Sequence, residues 1–235
     1  MSSNAMQACI DIFFSPQSAF TSIKQKKGWS WLPFLLVMVA SSSVFAYYFN
    51  VVDIDFYNEQ SIEQGAAMTG LSYEELKEMS PPADASSSML QTILSICFGL
   101  IFGNLIIALY YLLITKMTAK NELSFGDWFG FSWWVNLPLV LSYVASILVI
   151  FFASDSQIPM HSLQPTSINS LLLSLPISSP WHGFFEAITL FSIWTIALAF
   201  FGLKAWLNTE TPKAIIIAII PSVILYGAWA LYISL

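Results

Sequence analysis

The sequence predicts an all-α integral membrane protein: a five-transmembrane-helix bundle with short N-terminal amphipathic helices and an acidic external loop. Three observations carry that prediction. Hydrophobic residues make up 57% of the chain and charged residues only 9%. An average soluble domain is about 25% charged, so lipid has to cover much of this surface. Five apolar segments, at about 29–49, 89–114, 131–153, 181–207 and 213–233, reach the length of about 20 residues needed to cross a bilayer core. The lysines then sort by side. Lys24, Lys26 and Lys27 precede the first segment, Lys116 and Lys120 separate the second from the third, and Lys204 and Lys213 flank the turn between the fourth and fifth.

With five crossings those lysines share one side, and only Lys77 lies opposite, among Glu74, Glu75 and Glu78. Four or six crossings would break this partition. Basic residues near span ends stay cytoplasmic. The expectation is therefore a multi-pass protein of the cell (inner) membrane, N-terminus in the cytoplasm and C-terminus outside. Trp29, Trp31, Tyr110, Tyr111 and Trp206 fall at the expected inner interface, and Tyr47, Tyr48, Trp181, Trp229 and Tyr232 at the outer one, as aromatic belts do. Trp194 falls at mid-span, where an indole N–H needs a partner, so it is expected to face another helix.

The elements follow in order. Residues 6–28 form a cytoplasmic amphipathic segment ahead of a transmembrane domain at 29–235. The segment reads as two short helices, the second capped by Ser15 with Pro16 in its first turn. Phe13, Phe20 and Ile23 share one apolar face, which suits either the membrane surface or packing beneath the bundle. Ser3 to Met6 resembles the remnant of a cleaved tag, with the native start at Met6. No cleavable signal region precedes the first span, which is expected to direct insertion itself. Residues 50–88 carry eight carboxylates and form an external acidic hairpin or cap, in which Leu71 to Met79 reads as a helix capped by Ser72.

The second span carries Gly99 and Gly103 beside Asn104, a small-xxx-small pattern that predicts close helix packing. Asn136 and Pro138 interrupt the third span, so Phe125 to Trp134 is expected to lie at the inner interface and join a shorter crossing helix. The external segment at 154–180 holds a Ser-rich apolar run, Ser167 to Leu175, too short to cross. The fourth span carries His182 and Glu186, and the fifth holds Pro221, a potential kink.

His182 and Glu186 stand four residues apart, on one helical face. They suit joint binding of a proton or cation, or a purely structural role near a helix start. Asn104, Asn136 and Trp194 are candidates to join them in a polar or ligand site. A metal set drawn from His161, His182, Glu186, Asp53 and Asp55 matches no ligand spacing, so no metal and no cofactor is expected. The sequence contains no HExxH, GxSxG or GxxxxGK(S/T) signature, and enzyme activity is the least favoured class. All eight basic residues are lysine, which removes bidentate guanidinium contacts, so no nucleic-acid partner is expected. Cys9 and Cys97 fall at different membrane levels, and no disulfide is expected.

Three stretches together resemble the Yip (Ypt-interacting-protein) domain family in its bacterial branch. They are Phe13-Phe14-Ser15-Pro16 with Ala19, Phe20 and Ile23; Ser124-Phe125 to Asn136-Leu137-Pro138; and Ile193-Trp194 leading to Gly202-Leu203-Lys204 and Lys213-Ala214. The Glu-rich first loop also looks like that of bacterial members. The resemblance implies a five-helix membrane domain with a cytoplasmic N-terminus. Eukaryotic relatives are non-enzymatic factors in vesicle traffic that bind small GTPases and one another. The segment ahead of the first span is short here, so GTPase binding is not carried over. The leading expectation is a membrane scaffold or organiser acting through lipid, other membrane proteins or itself, with Gly99, Gly103 and Gly202 as packing points and Pro138 as a helix break. The alternative is a transporter or channel for an ion, small solute or lipid.

Overall fold

The computed structural model describes residues 2–26, 28–119 and 121–235, and of Met68 only the backbone. Eleven α-helices follow one another: α1 (Ala5–Phe14), α2 (Pro16–Ile23), α3 (Trp31–Val51), α4 (Ile54–Thr69), α5 (Tyr73–Met79), α6 (Ala85–Thr118), α7 (Phe125–Val135), α8 (Leu139–Phe151), α9 (His182–Ala187), α10 (Leu190–Leu207) and α11 (Thr211–Ser234). Counting α7 and α8 as one interrupted helix, five are long and apolar enough to cross a membrane. The only β pairing among the described residues is one antiparallel bridge between Ser167 and Thr189.

Local chemistry sets several boundaries. Ser72 and Glu75 form a capping box at the start of α5, and Ser124 and Asp127 another at the start of α7, each satisfying two orphan N–H groups. Gly70 ends α4 at φ 74°, a left-handed conformation that glycine adopts without a Cβ clash. Helix α7 ends where predicted, with residues 136–138 held by i to i−3 bonds, Leu137 N to Trp134 O and Leu139 N to Asn136 O. Pro221 lies within α11, which continues on both sides of it. Pro16 opens α2, but the Ser15 side chain makes no capping bond, contrary to expectation; the Ser15 N–H instead closes the end of α1 on Asp11 O.

The chain divides into two compact units. The first comprises Met1–Val39, Cys97–Val140 and Phe191–Ala228; the second comprises Ala40–Ile96, Leu141–Leu190 and Trp229–Leu235. Lys24, Lys26, Lys116, Lys204 and Lys213 belong to the first unit, and Lys77 to the second. Lys27 and Lys120 lie outside the described residues. Ten of the fourteen carboxylates belong to the second unit.

The first unit is built around aromatic rings. Phe20, Trp128, Phe131, Trp134 and Trp206 are buried together with Tyr111 and Leu203. The N-terminal helices pack into this core through Ala8, Ile12, Ala19 and Phe20, all fully buried, so the packing role of their apolar face is the one realised. Trp206 Nε1 donates to Phe20 O at 2.9 Å, tying α2 to α10. The second unit has a smaller core of Val44, Tyr48, Phe49, Val52, Ile150, Ile158 and Leu163. Its acidic segment folds into the helical pair α4 and α5.

Three expectations need correction. Helix α7 is not a surface helix: Trp128, Phe131, Trp133 and Trp134 are almost completely buried within the protein, because four large rings on two successive turns bury more area facing inward than lying flat. Gly99 and Gly103 are not packing points within the chain, since a Cβ at either would meet nothing within 4 Å. Helix α6 is the least buried of the five spans, with Leu94, Phe98, Leu105, Leu109 and Leu113 exposed at helical spacing, a stripe that suits lipid. The fourth span is not continuous from 181 to 207. Ile188 O accepts from Ile168 N at 2.8 Å, and Leu190 N donates to Thr166 O at 3.0 Å, so a loop strand takes backbone groups the helix would use. The result is a separate six-residue α9.

Candidate functional site

Helix α9 presents His182 and Glu186 on one face, as their spacing predicts. The His182 Nε2 to Glu186 Oε2 distance is 3.1 Å, and both side chains are largely shielded from solvent. At the other edge of the ring, His182 Nδ1 lies 2.8 Å from Leu175 O. A carbonyl oxygen only accepts, so Nδ1 carries the hydrogen. Asn169 fixes this arrangement: its Oδ1 accepts from Leu175 N at 2.9 Å and its Nδ2 points toward the same Leu175 carbonyl at 3.4 Å.

That tautomer has a consequence for Nε2. A neutral ring turns a lone pair toward Glu186, and a protonated ring turns an N–H toward it. Either way, the close approach of Nε2 to the carboxyl is favourable only when the pair holds one proton, as imidazole with carboxylic acid or imidazolium with carboxylate. Both forms are electrically neutral. Burial raises the Glu186 pKa, partly opposed by the neighbouring His182. The His161 ring stands 5.4 Å from His182, nearly perpendicular. Burial, and secondarily the His182 charge, lower the His161 pKa, so it stays neutral at pH 7. Glu186 Oε1, His161 Nδ1 and His182 Nε2 are buried and have no hydrogen-bond partner among the described residues, so the 3.1 Å approach of Nε2 to Oε2 is an ion-pair contact without hydrogen-bond geometry.

Glu186 and His161 line a pocket of about 480 Å³ in the second unit, within the size range of small-molecule sites. Its walls are Tyr57, Gln60, Ser61 and Gln64 of α4, Ser88, Gln91, Thr92 and Ser95 of α6, and Gln164 of the loop before α9. No group of three His, Cys, Asp or Glu residues among those described could hold a metal ion. Asp53 caps α4, accepting from Asp55 N and Phe56 N. Cys9 and Cys97 form no disulfide with each other.

The other sequence candidates belong to the first unit. Asn136 Nδ2 donates to Asn104 Oδ1 at 3.0 Å, and Asn104 Nδ2 donates to Leu100 O at 2.8 Å. The two asparagines therefore meet through one hydrogen bond, as a packing pair would. Trp194 is not with them: it is half-buried against Phe13, ring centroids 5.4 Å apart and edge to face. Gly202 packs most tightly, with Phe131 Cε2 only 2.4 Å from where its Cβ would stand.

A second opening belongs to the first unit, a groove of about 550 Å³. Trp31, Phe34, Phe129 and Trp133 form its apolar wall, and Lys24, Lys26, Ser124 and Asp127 its polar rim. Lys24 Nζ donates to Trp206 O, and Lys26 stands over the Trp29 ring at 5.7 Å. Asp127 is committed to its capping box.

Sequence reasoning missed this groove, the glutamine wall and Asn169. Gln60 with Gln64, and Ser88, Gln91, Thr92 and Ser95, are polar stripes at helical spacing that could have marked the pocket. Asn169 left no such signal, because its role depends on the fold of the 160–175 loop.

A family model described as the Yip1 domain matches residues 10–232. No curated protein matches the chain, and no solved structure does.

Proposed function

The chain belongs to the Yip1 domain family, and from that premise we propose that it is a non-enzymatic membrane organiser of the bacterial branch that works by holding an anionic lipid at its surface. The groove of the first unit carries this reading. Its tryptophan and phenylalanine wall suits an acyl chain, while two lysines at the rim suit a phosphate. Asp127, the one carboxylate on the rim among the described residues, has its Oδ2 occupied by the backbone and hydroxyl donors of Ser124.

The same lysines support an orientation. They gather in one unit and most of the carboxylates in the other, as expected for an inner-membrane protein with a cytoplasmic N-terminus and an external C-terminus. Contacts with other membrane proteins or a second copy would use the exposed apolar stripe of α6.

Purified in mild detergent from native membranes, the protein is expected to retain anionic phospholipid, detectable by native mass spectrometry. Replacing Lys26 by Glu and Trp31 by Ala together, both exposed positions, should reduce that retention several-fold and leave thermal stability unchanged. Undiminished retention would overturn the reading.

A transport reading draws support from the protonatable pair in the second unit. Its supposed inner residues lend it less. The Asn104–Asn136 pair is hydrogen-bonded to itself and to the helix backbone, which favours packing over a pathway.

A further inference from the structure

The polar pocket of the second unit has no part in the lipid reading. We propose that it binds a small organic ammonium cation, which takes the place of the proton shared by Glu186 and His182. Five observations assign this chemistry.

Among the residues lining the pocket the ionisable ones are Glu186, His161 and Tyr57, and none is Lys or Arg. Only a carboxylate can bring a net charge to it at neutral pH. Glu186 Oε1 and His161 Nδ1 are buried without partners, and an ammonium group offers three N–H donors. Gln60, Gln64 and Gln91 add amide carbonyls to the wall, and the Tyr57 ring adds a face that attracts cations. A volume of about 480 Å³ is far larger than a bare ion needs, and the described residues include no cluster that could hold a metal. Finally, Glu59 and Glu63, on the same helix as Gln60 and Gln64, add negative potential that raises the local concentration of cations.

The exchange balances. Before binding, the pair holds one proton and is neutral. When the ammonium donates one N–H to Glu186 and another to the His182 Nε2 lone pair, that proton leaves to solvent, and the +1 ligand compensates the −1 pair. Binding therefore releases up to one proton and tightens as pH rises, by as much as tenfold per unit while the pair is protonated. The titratable groups around the carboxyl are His182 on its own helix, His161 on the loop and Tyr57 on α4. Protonating His161 at low pH would repel the ligand, which gives the same sign.

Ethanolamine is the probe and ethylene glycol its neutral counterpart, titrated calorimetrically into the full chain in lipid nanodiscs at several pH values. Ethanolamine should bind, with a heat that depends on buffer ionisation enthalpy, and ethylene glycol should bind at least tenfold more weakly. Glu186→Gln should weaken ethanolamine at least tenfold and reduce the pH dependence to the residual repulsion from His161 at low pH. Gln91→Leu, a change at an exposed wall position, should weaken it several-fold and serves if Glu186→Gln does not fold. The proposal is overturned if ethanolamine gives no heat with the wild type, if ethylene glycol binds equally well, if binding is independent of pH, or if Gln91→Leu and a folded Glu186→Gln leave affinity unchanged. An uncharged pocket lined by glutamines would give the second of these results.

Discussion

Phe131→Ala should lower stability by about 3 kcal/mol, the lower end of the range for truncating a buried aromatic ring. Phe131 is fully buried and touches four rings at once. Its centroid lies 5.2 Å from Phe20, 5.3 Å from Tyr111, 5.3 Å from Trp128 and 4.9 Å from Trp206. Each such pair contributes about 0.5–1.5 kcal/mol beyond its buried area. The lower end applies because lipid is as apolar as the core, so the loss is of packing contacts rather than transfer from water. In a detergent thermal-unfolding assay, the loss should appear as a fall in midpoint of about 6–12 °C. A fall of less than about 2 °C would show that the aromatic cluster does not hold the first unit together.

Gly202→Ala should cost about 1–3 kcal/mol, toward the upper limit. The new Cβ would stand 2.4 Å from Phe131 Cε2, 2.7 Å from Phe131 Cζ and 3.0 Å from Phe20 Cδ1. Both rings are fully buried and have nowhere to go. Because the two shortest of these contacts are with Phe131, Phe131→Leu in the same molecule should relieve part of the clash. The double variant should then be more stable than the two single losses added together predict. Strict additivity in the same thermal assay would place the effect of Gly202 elsewhere. Gly99→Ala and Gly103→Ala open into space and serve as controls with little change.

The glycines show what a sequence of this kind makes legible. Gly99 and Gly103 have the spacing of a packing motif, and Gly202 stands alone. Yet Gly202 is the one pressed against rings, because those rings arrive from α2 and α7, far away in sequence. The five apolar spans, the Ser72 cap and the break at Asn136 to Pro138 were legible because local chemistry sets them: run length, a hydroxyl three residues before a carboxylate, a missing N–H. The break between α9 and α10 was not. Neither Ile188 nor Thr189 is a glycine or proline, and the helix stops because Ile168 and Thr166 bond to Ile188 and Leu190 from another segment. The burial of α7 was hidden for a related reason, since a tryptophan-rich helix reads equally well as an interfacial belt or as a core.

The candidate site divides in the same way. His182 and Glu186 were legible from their spacing, and the Leu175 carbonyl that dictates how they share a proton was not. Asn104 and Asn136 were legible as polar residues in apolar helices, and only the fold shows that they bond each other. Trp194 was expected to face another helix; it packs on Phe13 of α1 instead of joining a polar site.

The defining feature of the fold in the membrane is an odd number of crossings with the lysine-bearing ends inside. Single cysteines placed at Gln25, Glu78 and Leu235 in a background lacking Cys9 and Cys97 test it with a membrane-impermeant thiol reagent. Labelling at Glu78→Cys and Leu235→Cys in intact cells, and at Gln25→Cys only after the membrane is opened, is the predicted result. Labelling of Gln25→Cys and Leu235→Cys from the same side would contradict it.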